Sequence, residues 1–273
     1  MTDHKNEDNL GEVLSQVAYQ IKATMETMYA ALQRVVPMEQ RDEDAALDEN
    51  AALLTRNFYR LRRLAGNLEE AVELDTPPRP VTTNDDIVGI VCAVTERAAF
   101  AAEMLGLTLE VNCDLSSRII AVDADRVERM LLNLLSNAFK FTPRGGKITV
   151  TVLLAGQHVE IRVQDTGCGI PAHRMEEIFE RYRHASLPDG SPSGLGLGLP
   201  LARKIAADHG GSLVVISREG EGTLAVVSLP DRKGSRIGMG TMMMVDYSGG
   251  FNRTLLELSD ALPKEAFRNK MID

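Results

Sequence analysis

Three clusters of residues in the sequence have the types and spacing to bind a charged ligand. The first lies in the segment NLLSNAFKFT, where Asn133 and Asn137 are four residues apart and Lys140 is three further on. A helix would place these three side chains near one face. Two amides and an ammonium group on one face can hold a metal–phosphate unit. A polar helix face that binds no ligand has the same pattern, so both interpretations stay open at this point.

The second cluster is the segment DTGCGIP, which begins at Asp165 directly after a predicted strand. A carboxylate at the end of a strand can accept hydrogen bonds from an amine of a ligand. Gly167 and Gly169 allow the sharp backbone that a closely approaching ligand requires. A plain turn between a strand and a helix would also account for the segment.

The third cluster is the segment SGLGLGLP, in which Gly194, Gly196 and Gly198 lead into a predicted helix. Such a loop offers free backbone N–H groups to a phosphate, although a glycine repeat alone is a weak signal. The preceding stretch 181–193 is polar and rich in turn residues. Its composition is typical of a mobile lid over a binding site.

Two long helices are predicted in the first 76 residues, because apolar residues recur there at every third or fourth position. The first helix covers 10–36 and the second covers 47–74. Helices joined so closely form an antiparallel hairpin, and one hairpin alone cannot cover its apolar stripe. We therefore expect 1–76 to be a dimerisation domain, in which two hairpins form a four-helix bundle.

The remainder of the chain is predicted to mix helices and strands. Three prolines mark 77–84 as a linker, and the segment 85–230 follows as a second domain. Its predicted helices and strands lie at 85–105, 107–112, 118–122, 123–141, 148–154, 158–164, 195–209, 212–217 and 222–229. This order predicts an α/β sandwich with a mixed sheet covered on one face by helices, and an α+β class for the whole chain.

The segment 231–273 is different in character and is predicted to be a C-terminal extension of one strand and one helix. The strand is expected at TMMMVDY, and an apolar helical stripe runs from Phe251 to Leu262. Docking of this stripe on its own chain is the expectation, with docking on a partner as the alternative.

Composition and charge exclude several classes of protein. Apolar residues make up 44% and charged residues 25%, as in soluble globular proteins. The net charge of −9 argues against a nucleic-acid-binding surface. No apolar run reaches the roughly 18–20 residues that cross a membrane, and the polar N-terminus is no secretory signal. Cys92, Cys113 and Cys168 match no metal or redox spacing, so reduced thiols in a cytoplasmic protein are expected.

Taken in chain order, the three clusters resemble the ATP-binding domain of the sensor histidine kinases. This domain belongs to the superfamily that includes DNA gyrase and the MutL repair proteins. The resemblance covers roughly 81–230 and implies a site for ATP and Mg²⁺. Asn137 matches the family's Mg²⁺-binding asparagine and Lys140 the lysine near the phosphates. Asp165 matches the aspartate that recognises the adenine amino group.

The resemblance extends to the glycine boxes and to the positions beside the lid. The matching residues are Gly167, Gly169, Gly194, Gly196, Gly198, Phe179 and one of Arg181 and Arg183. Asn133 also belongs to the implied binding residues, and it stands where hydrolytic members of the superfamily carry a glutamate that activates water. An amide cannot act as a general base. This position therefore favours the kinases over a gyrase-like hydrolase.

The first helix resembles the family segment that carries the phosphoacceptor histidine, but Tyr19 stands at the histidine position. Gln20 replaces the acid that serves as proton acceptor, and Ala23 replaces the residue that the family links to phosphatase action. No histidine occurs between Lys5 and Gln157, so the hairpin cannot phosphorylate itself on histidine. Without a nearby base Tyr19 is a weakly activated nucleophile, and an exposed aromatic side chain is the expected role. No residue of the chain is assigned as catalytic.

These observations lead to three hypotheses about function. The first is a cytoplasmic, homodimeric pseudokinase that binds ATP and signals through nucleotide-dependent conformation. The second is an active kinase that transfers phosphate in trans to a partner histidine or a response regulator. The third is a non-enzymatic dimeric module that captures a response regulator or another kinase.

Overall fold

The protein was analysed as a computed structural model, which describes residues 2–74, 77, 83–182, 195–234 and 251–268. Within these ranges the backbone alone is described for residues 2–12, 38 and 73. The predicted α+β class is confirmed, since long helices come first and a mixed sheet with its helices follows. Several predicted features lie wholly or largely outside the described residues. They are the linker 77–84, the lid stretch 181–193 and the strand at TMMMVDY with Met242–Met244.

The chain divides into two units, the first formed by Met1–Thr76 with Leu262–Asp273 and the second by Pro77–Ala261. The first unit contains helices α1 (Thr2–Val35), α2 (Met38–Glu43) and α3 (Ala45–Glu73). Helix α1 begins eight residues before its predicted start, and α2 lies in the stretch between the two predicted helices. Asp44 caps α3, because its Oδ1 accepts the backbone N–H groups of Ala46 at 2.9 Å and Leu47 at 3.1 Å.

The end of the chain completes this first unit. A 3₁₀ turn at Lys264–Phe267 places the Phe267 ring against Tyr59 of α3, with 5.3 Å between the ring centroids. Arg41 of α2 donates a hydrogen bond to the Phe267 carbonyl at 3.2 Å, and Lys264 forms an ion pair with Glu49. Phe267 is fully buried. The last described residues are therefore part of the core of the helical unit.

The second unit is built on a five-stranded sheet with the strand order β2-β4-β5-β7-β6. The first pair is parallel and the other three are antiparallel. A separate two-stranded ladder pairs β1 with β3. The strands are β1 (Asn84–Asp86), β2 (Thr108–Cys113), β3 (Ile119–Ala121), β4 (Lys147–Ala155), β5 (His158–Asp165), β6 (Ser212–Arg218) and β7 (Gly222–Pro230).

Four helices accompany the sheet: α4 (Ile87–Leu105), α5 (Ala124–Phe141), α6 (Gly198–Asp208) and α7 (Arg253–Leu258). Alternate side chains of β4 and β5 are buried, as the period-2 pattern of these strands predicts. Leu132 and Leu135 of α5 are fully buried in the same core. Among the described helices, none combines the length and apolar character needed to span a membrane.

Candidate functional site

Helix α5 carries the first cluster of polar residues and is fixed at its beginning by two caps. Asp123 Oδ1 accepts the backbone N–H of Arg126 at 3.1 Å. The backbone N–H of Asp123 itself donates to Nε2 of His209, at 3.0 Å. His209 Nδ1 lies 2.7 Å from the Ile205 carbonyl, which assigns the proton to Nδ1 because Nε2 accepts. Burial lowers the pKa of His209, which favours this neutral form.

The three polar side chains of α5 differ in their access to solvent. Asn133 is 1% exposed, and its amide donates to the Arg129 carbonyl at 3.1 Å. Asn137 is partly exposed, one turn further along the helix. Lys140 has a side chain only 5% exposed. Asn133 is thus buried and bonded to its own helix, whereas Asn137 can be reached by a ligand.

Asp165 lies at the end of β5 and is buried, with 8% of its surface exposed. Its Oδ1 accepts two backbone N–H groups, from Gly167 at 2.8 Å and from Thr223 at 3.2 Å. Burial raises the pKa of this carboxyl group, and the two N–H donors act in the opposite direction. Because both donors bind Oδ1, the second oxygen can accept a hydrogen bond from a ligand.

The loop after Asp165 packs so closely on neighbouring backbone that it requires glycine. A Cβ atom on Gly167 would lie 2.4 Å from the carbonyl oxygen of Phe141, at the end of α5. Gly169 has a φ of +65°, and its Cβ would lie 2.0 Å from the Arg218 carbonyl oxygen. The loop is therefore fixed between α5 and the turn that joins β6 to β7.

The second glycine segment lies against the middle of α5. Gly198 begins α6, and a Cβ atom placed there would lie 3.1 Å from Oδ1 of Asn133. Gly196 has a φ of +68°, a conformation that favours glycine. Pro200 occupies the first turn of α6 as predicted. Gly194 lies outside the described residues.

Phe179 contacts α6 through a cation–π interaction. The Cζ atom of Arg203 lies 4.8 Å from the centroid of the Phe179 ring. Arg181 is exposed, whereas Arg183 lies outside the described residues. The choice between these two arginines therefore stays open.

The C-terminal helix α7 packs on α5, in agreement with the expectation that the apolar stripe docks on its own chain. Asn252 caps α7 by accepting the N–H of Leu255 at 3.0 Å. Arg253 bonds to Asp125 at 2.5 Å, and Arg129 approaches the buried Glu257 at 3.3 Å. Ion pairs thus attach α7 to the first half of α5.

A third contact from this segment reaches Lys140. Oδ2 of Asp260 lies 3.4 Å from Nζ of Lys140. The Lys140 side chain is 5% exposed and the Asp260 side chain is 13% exposed. A carboxylate therefore occupies a position beside the lysine that the resemblance places near the phosphates. This geometry shows that an anion fits there.

Sequence reasoning missed three residues of this region. Thr223 donates its N–H to Asp165, Arg203 covers Phe179 and Asp260 pairs with Lys140. Only Thr223 has a local signal, because it follows Gly222 at the beginning of a predicted strand. A Cβ atom on Gly222 would lie 2.1 Å from the Asp165 carbonyl oxygen, so this glycine also marks a close approach.

The residues predicted at the acceptor position lie on the surface of α1. Tyr19 is 69% exposed, and Gln20 and Ala23 are exposed as well. Within the described part of the chain, the side chain of Tyr19 makes no hydrogen bond or ion pair. The structure thus agrees with an exposed aromatic side chain at this position.

The described residues fit a nucleotide with Mg²⁺. Asp165 has an oxygen available for an amine, and Asn137 offers a reachable amide oxygen, a ligand type that Mg²⁺ accepts. The beginning of α6 supplies backbone N–H groups without a side-chain cap. Lys140 already pairs with an anionic group.

Comparison with known proteins agrees with this fit. The family model described as histidine kinase-, DNA gyrase B-, and HSP90-like ATPase matches residues 122–233. Histidine protein kinase DivJ of Caulobacter vibrioides is 46% identical over 113 residues, which are 41% of this chain and 19% of DivJ. The adaptive-response sensory kinase SasA of Rippkaea orientalis is 30% identical over 226 residues, 80% of this chain and 57% of SasA. The chain thus spans less than two thirds of the length of either relative.

Solved structures show the same fold over most of the chain. Full-length ShkA in complex with AMPPNP has a TM-score of 0.65 at 22% identity, covering 82% of this chain and 47% of ShkA. Histidine kinase ThkA in complex with response regulator protein TrrA has a TM-score of 0.56 at 22% identity, covering 85% of this chain and 65% of that chain. At this identity the likeness concerns the fold alone.

Proposed function

We propose that this chain binds Mg·ATP and signals without a phosphohistidine of its own. The premise is that it belongs to the sensor histidine kinase family through its histidine kinase-type ATPase domain. The observation that carries the proposal is a contrast within one chain. The nucleotide-binding residues of the family are present, whereas no histidine occurs between Lys5 and Gln157. The part of the hairpin that resembles the acceptor segment therefore carries no histidine, and the one histidine of α1, His4, lies 15 residues before Tyr19.

The proposed ligand-binding roles are those that the family resemblance implies, and the geometry of the second unit supports them. The free oxygen of Asp165 accepts the adenine amino group, and the amide oxygen of Asn137 contributes to the Mg²⁺ site. The backbone N–H groups at Gly196 and Gly198 face the phosphates, which their place before an uncapped helix supports. Mg²⁺ would neutralise phosphate charge when bound. Asn133 is an amide, so the site lacks a general base at that position.

We further propose that Asp260 regulates this site. Its carboxylate lies beside Lys140, the lysine that the family resemblance places near the phosphates. The nucleotide must therefore displace Asp260 from Lys140, and α7 is attached to the same helix through Arg253 and Glu257. Nucleotide binding is thereby coupled to the C-terminal segment, which supplies a conformational output without phosphotransfer.

Homodimerisation through the first unit is part of the proposal. Val17, Tyr19 and Met28 of α1 and Leu54 and Leu61 of α3 have exposed fractions between 45% and 69%. Apolar side chains exposed at this density on two neighbouring helices favour a protein interface, and a second hairpin would cover them. A response regulator is the proposed partner, by analogy with the complex of ThkA and TrrA. A cytoplasmic location stays a prediction from the sequence.

The test combines nucleotide binding with phosphate transfer on the full chain. Binding of ATP with Mg²⁺ is measured by calorimetry for the native protein, for Asn137→Ala and for Asn112→Ala. Asn112 is an exposed asparagine on β2 of the same unit and serves as the matched control. We expect the native protein and the control to bind alike, and Asn137→Ala to bind at least about tenfold more weakly, the equivalent of one lost metal or charge-assisted contact.

The same proteins are then incubated with γ-labelled ATP and Mg²⁺. The proposal predicts negligible label on the protein and little free phosphate. Acid-labile, alkali-stable label on the chain would show a histidine acceptor and refute the proposal. Label that passes only to an added protein would establish the alternative of an active kinase acting in trans. Absence of ATP binding, with partner capture intact, would leave a non-enzymatic interaction module.

A further inference from the structure

We propose that Cys92 and Cys113 form a modification site, a dithiol that oxidants of the peroxide class convert into an intramolecular disulfide. The two Sγ atoms lie 3.4 Å apart, so that either thiol can donate to the other. Both cysteines are free and partly exposed. They are 21 residues apart in the sequence, which explains why the spacing matches no redox motif.

Regular secondary structure holds the two sulfurs together. Cys92 lies in the second turn of α4, and Cys113 is the last residue of β2. Cys113 is fixed by its parallel pairing opposite Val152 of β4, and the next residue donates its N–H to the Val152 carbonyl at 3.1 Å. The helix and the strand pack within one unit, and the sulfurs must move from 3.4 Å to the roughly 2.05 Å of a disulfide.

The oxidation proceeds in two balanced steps. The peroxide transfers one oxygen to the Cys92 sulfur, which becomes a sulfenic acid while the reduced peroxide leaves as water. Cys113 Sγ then attacks the sulfenic sulfur, so that the S–S bond forms, the S–O bond breaks, and water leaves with the thiol proton. Two thiols and one peroxide thus give one disulfide and two waters.

The surroundings of Cys113 set the order of these steps. Burial, and then the neighbouring Cys92 thiol, raise the pKa of Cys113 to about 11. Cys113 is therefore protonated at neutral pH and reacts poorly with peroxide, because the thiolate is the nucleophile. It acts second, on a sulfenic acid that is held in contact with it.

The test uses the full chain with Cys168→Ser, which removes the exposed third thiol. The protein is treated with a slight excess of hydrogen peroxide and then denatured. Its free thiols are titrated, its intact mass is measured by mass spectrometry, and its disulfide is located by peptide mapping. We expect a loss of two hydrogens, no remaining thiol, and a peptide that joins Cys92 to Cys113. The closed loop should raise Tm by roughly 5 °C or more, and a reductant should reverse the shift.

Two single variants in the same background serve as matched controls. Cys92→Ser and Cys113→Ser each keep one thiol, and we expect no oxidant-induced rise in Tm for either. Three results would overturn the proposal: both thiols still titrating after treatment, addition of two oxygens to one sulfur, or disulfide-linked dimers in place of the internal bond. The mass and peptide analysis decides the question even where a serine variant fails to fold.

Discussion

Replacing Asp260 with asparagine should strengthen ATP binding, because the change removes the carboxylate that we propose competes with a phosphate for Lys140. The two charged atoms lie 3.4 Å apart on side chains that are at most 13% exposed. Asparagine keeps the shape of the side chain and one oxygen acceptor but carries no charge. The substitution therefore tests the electrostatic competition with little change in packing.

The size of the effect follows from the separation and burial of the pair. Two unit charges 3.4 Å apart attract each other by about 5 kcal/mol at an effective dielectric constant of about 20. Desolvation of the two groups offsets most of this attraction, and about 1–2 kcal/mol remains as the net contribution of such a contact. A phosphate that displaces Asp260 must break this contact, so ATP binding is weakened by the same free energy. Removing the Asp260 charge therefore predicts a Kd for ATP that is about 5- to 30-fold lower.

Isothermal titration calorimetry of native protein, Asp260→Asn and Asp114→Asn measures this effect. Asp114 is an exposed aspartate of the same unit, and its substitution changes the net charge by the same amount. Adenosine serves as a ligand without phosphates, and its affinity should be equal in all three proteins. An unchanged Kd for ATP in Asp260→Asn would refute the reasoning, as would an equal gain in Asp114→Asn or for adenosine.

Two further predictions concern stability. Gly169→Ala should lower the free energy of unfolding by more than about 2 kcal/mol in urea titration, because its Cβ would lie 2.0 Å from the Arg218 carbonyl oxygen. Gly220→Ala is the control, because its Cβ would enter open space, and it should lower the free energy of unfolding by only about 1 kcal/mol. Equal losses in the two variants would contradict the argument. Because burial lowers the pKa of His209, the unfolded chain binds more protons below about pH 6.5. The stability from neutral His209 is therefore complete above that pH and is lost as the pH falls through the lowered pKa. Tm should decrease more between pH 7.5 and 5 in the native protein than in His209→Gln, and parallel curves would disprove this role.

The elements of the fold follow from short-range patterns, which explains why they could be predicted. Period-2 alternation identified β4 and β5, since one face of each strand is buried against the helices. The spacing of Asn133, Asn137 and Lys140 identified the polar residues of α5, because a helix has only one geometry for such a spacing. Gly167 and Gly169 could be singled out since few residues other than glycine tolerate such close backbone contact.

The contacts that tertiary structure creates could not be predicted from one sequence. Thr223 is 58 residues from Asp165, Asp260 is 120 residues from Lys140, and Cys92 meets Cys113 across a helix and a strand. Each pairing depends on strand register or helix docking, which local periodicity does not specify. The spacing of the cysteines led us to expect three reduced thiols, and for the same reason it could not show that two of them are in contact.

The return of the chain to the helical unit has a consequence for modularity. Phe267 packs on Tyr59 and accepts a hydrogen bond from Arg41, so the helical unit is discontinuous in sequence. A cut at the proline-rich linker would therefore not release a complete module, since the excised hairpin would lack part of its own core. Exchange of this unit between proteins, by recombination in evolution or by a fusion at the bench, must carry both segments of the gene together.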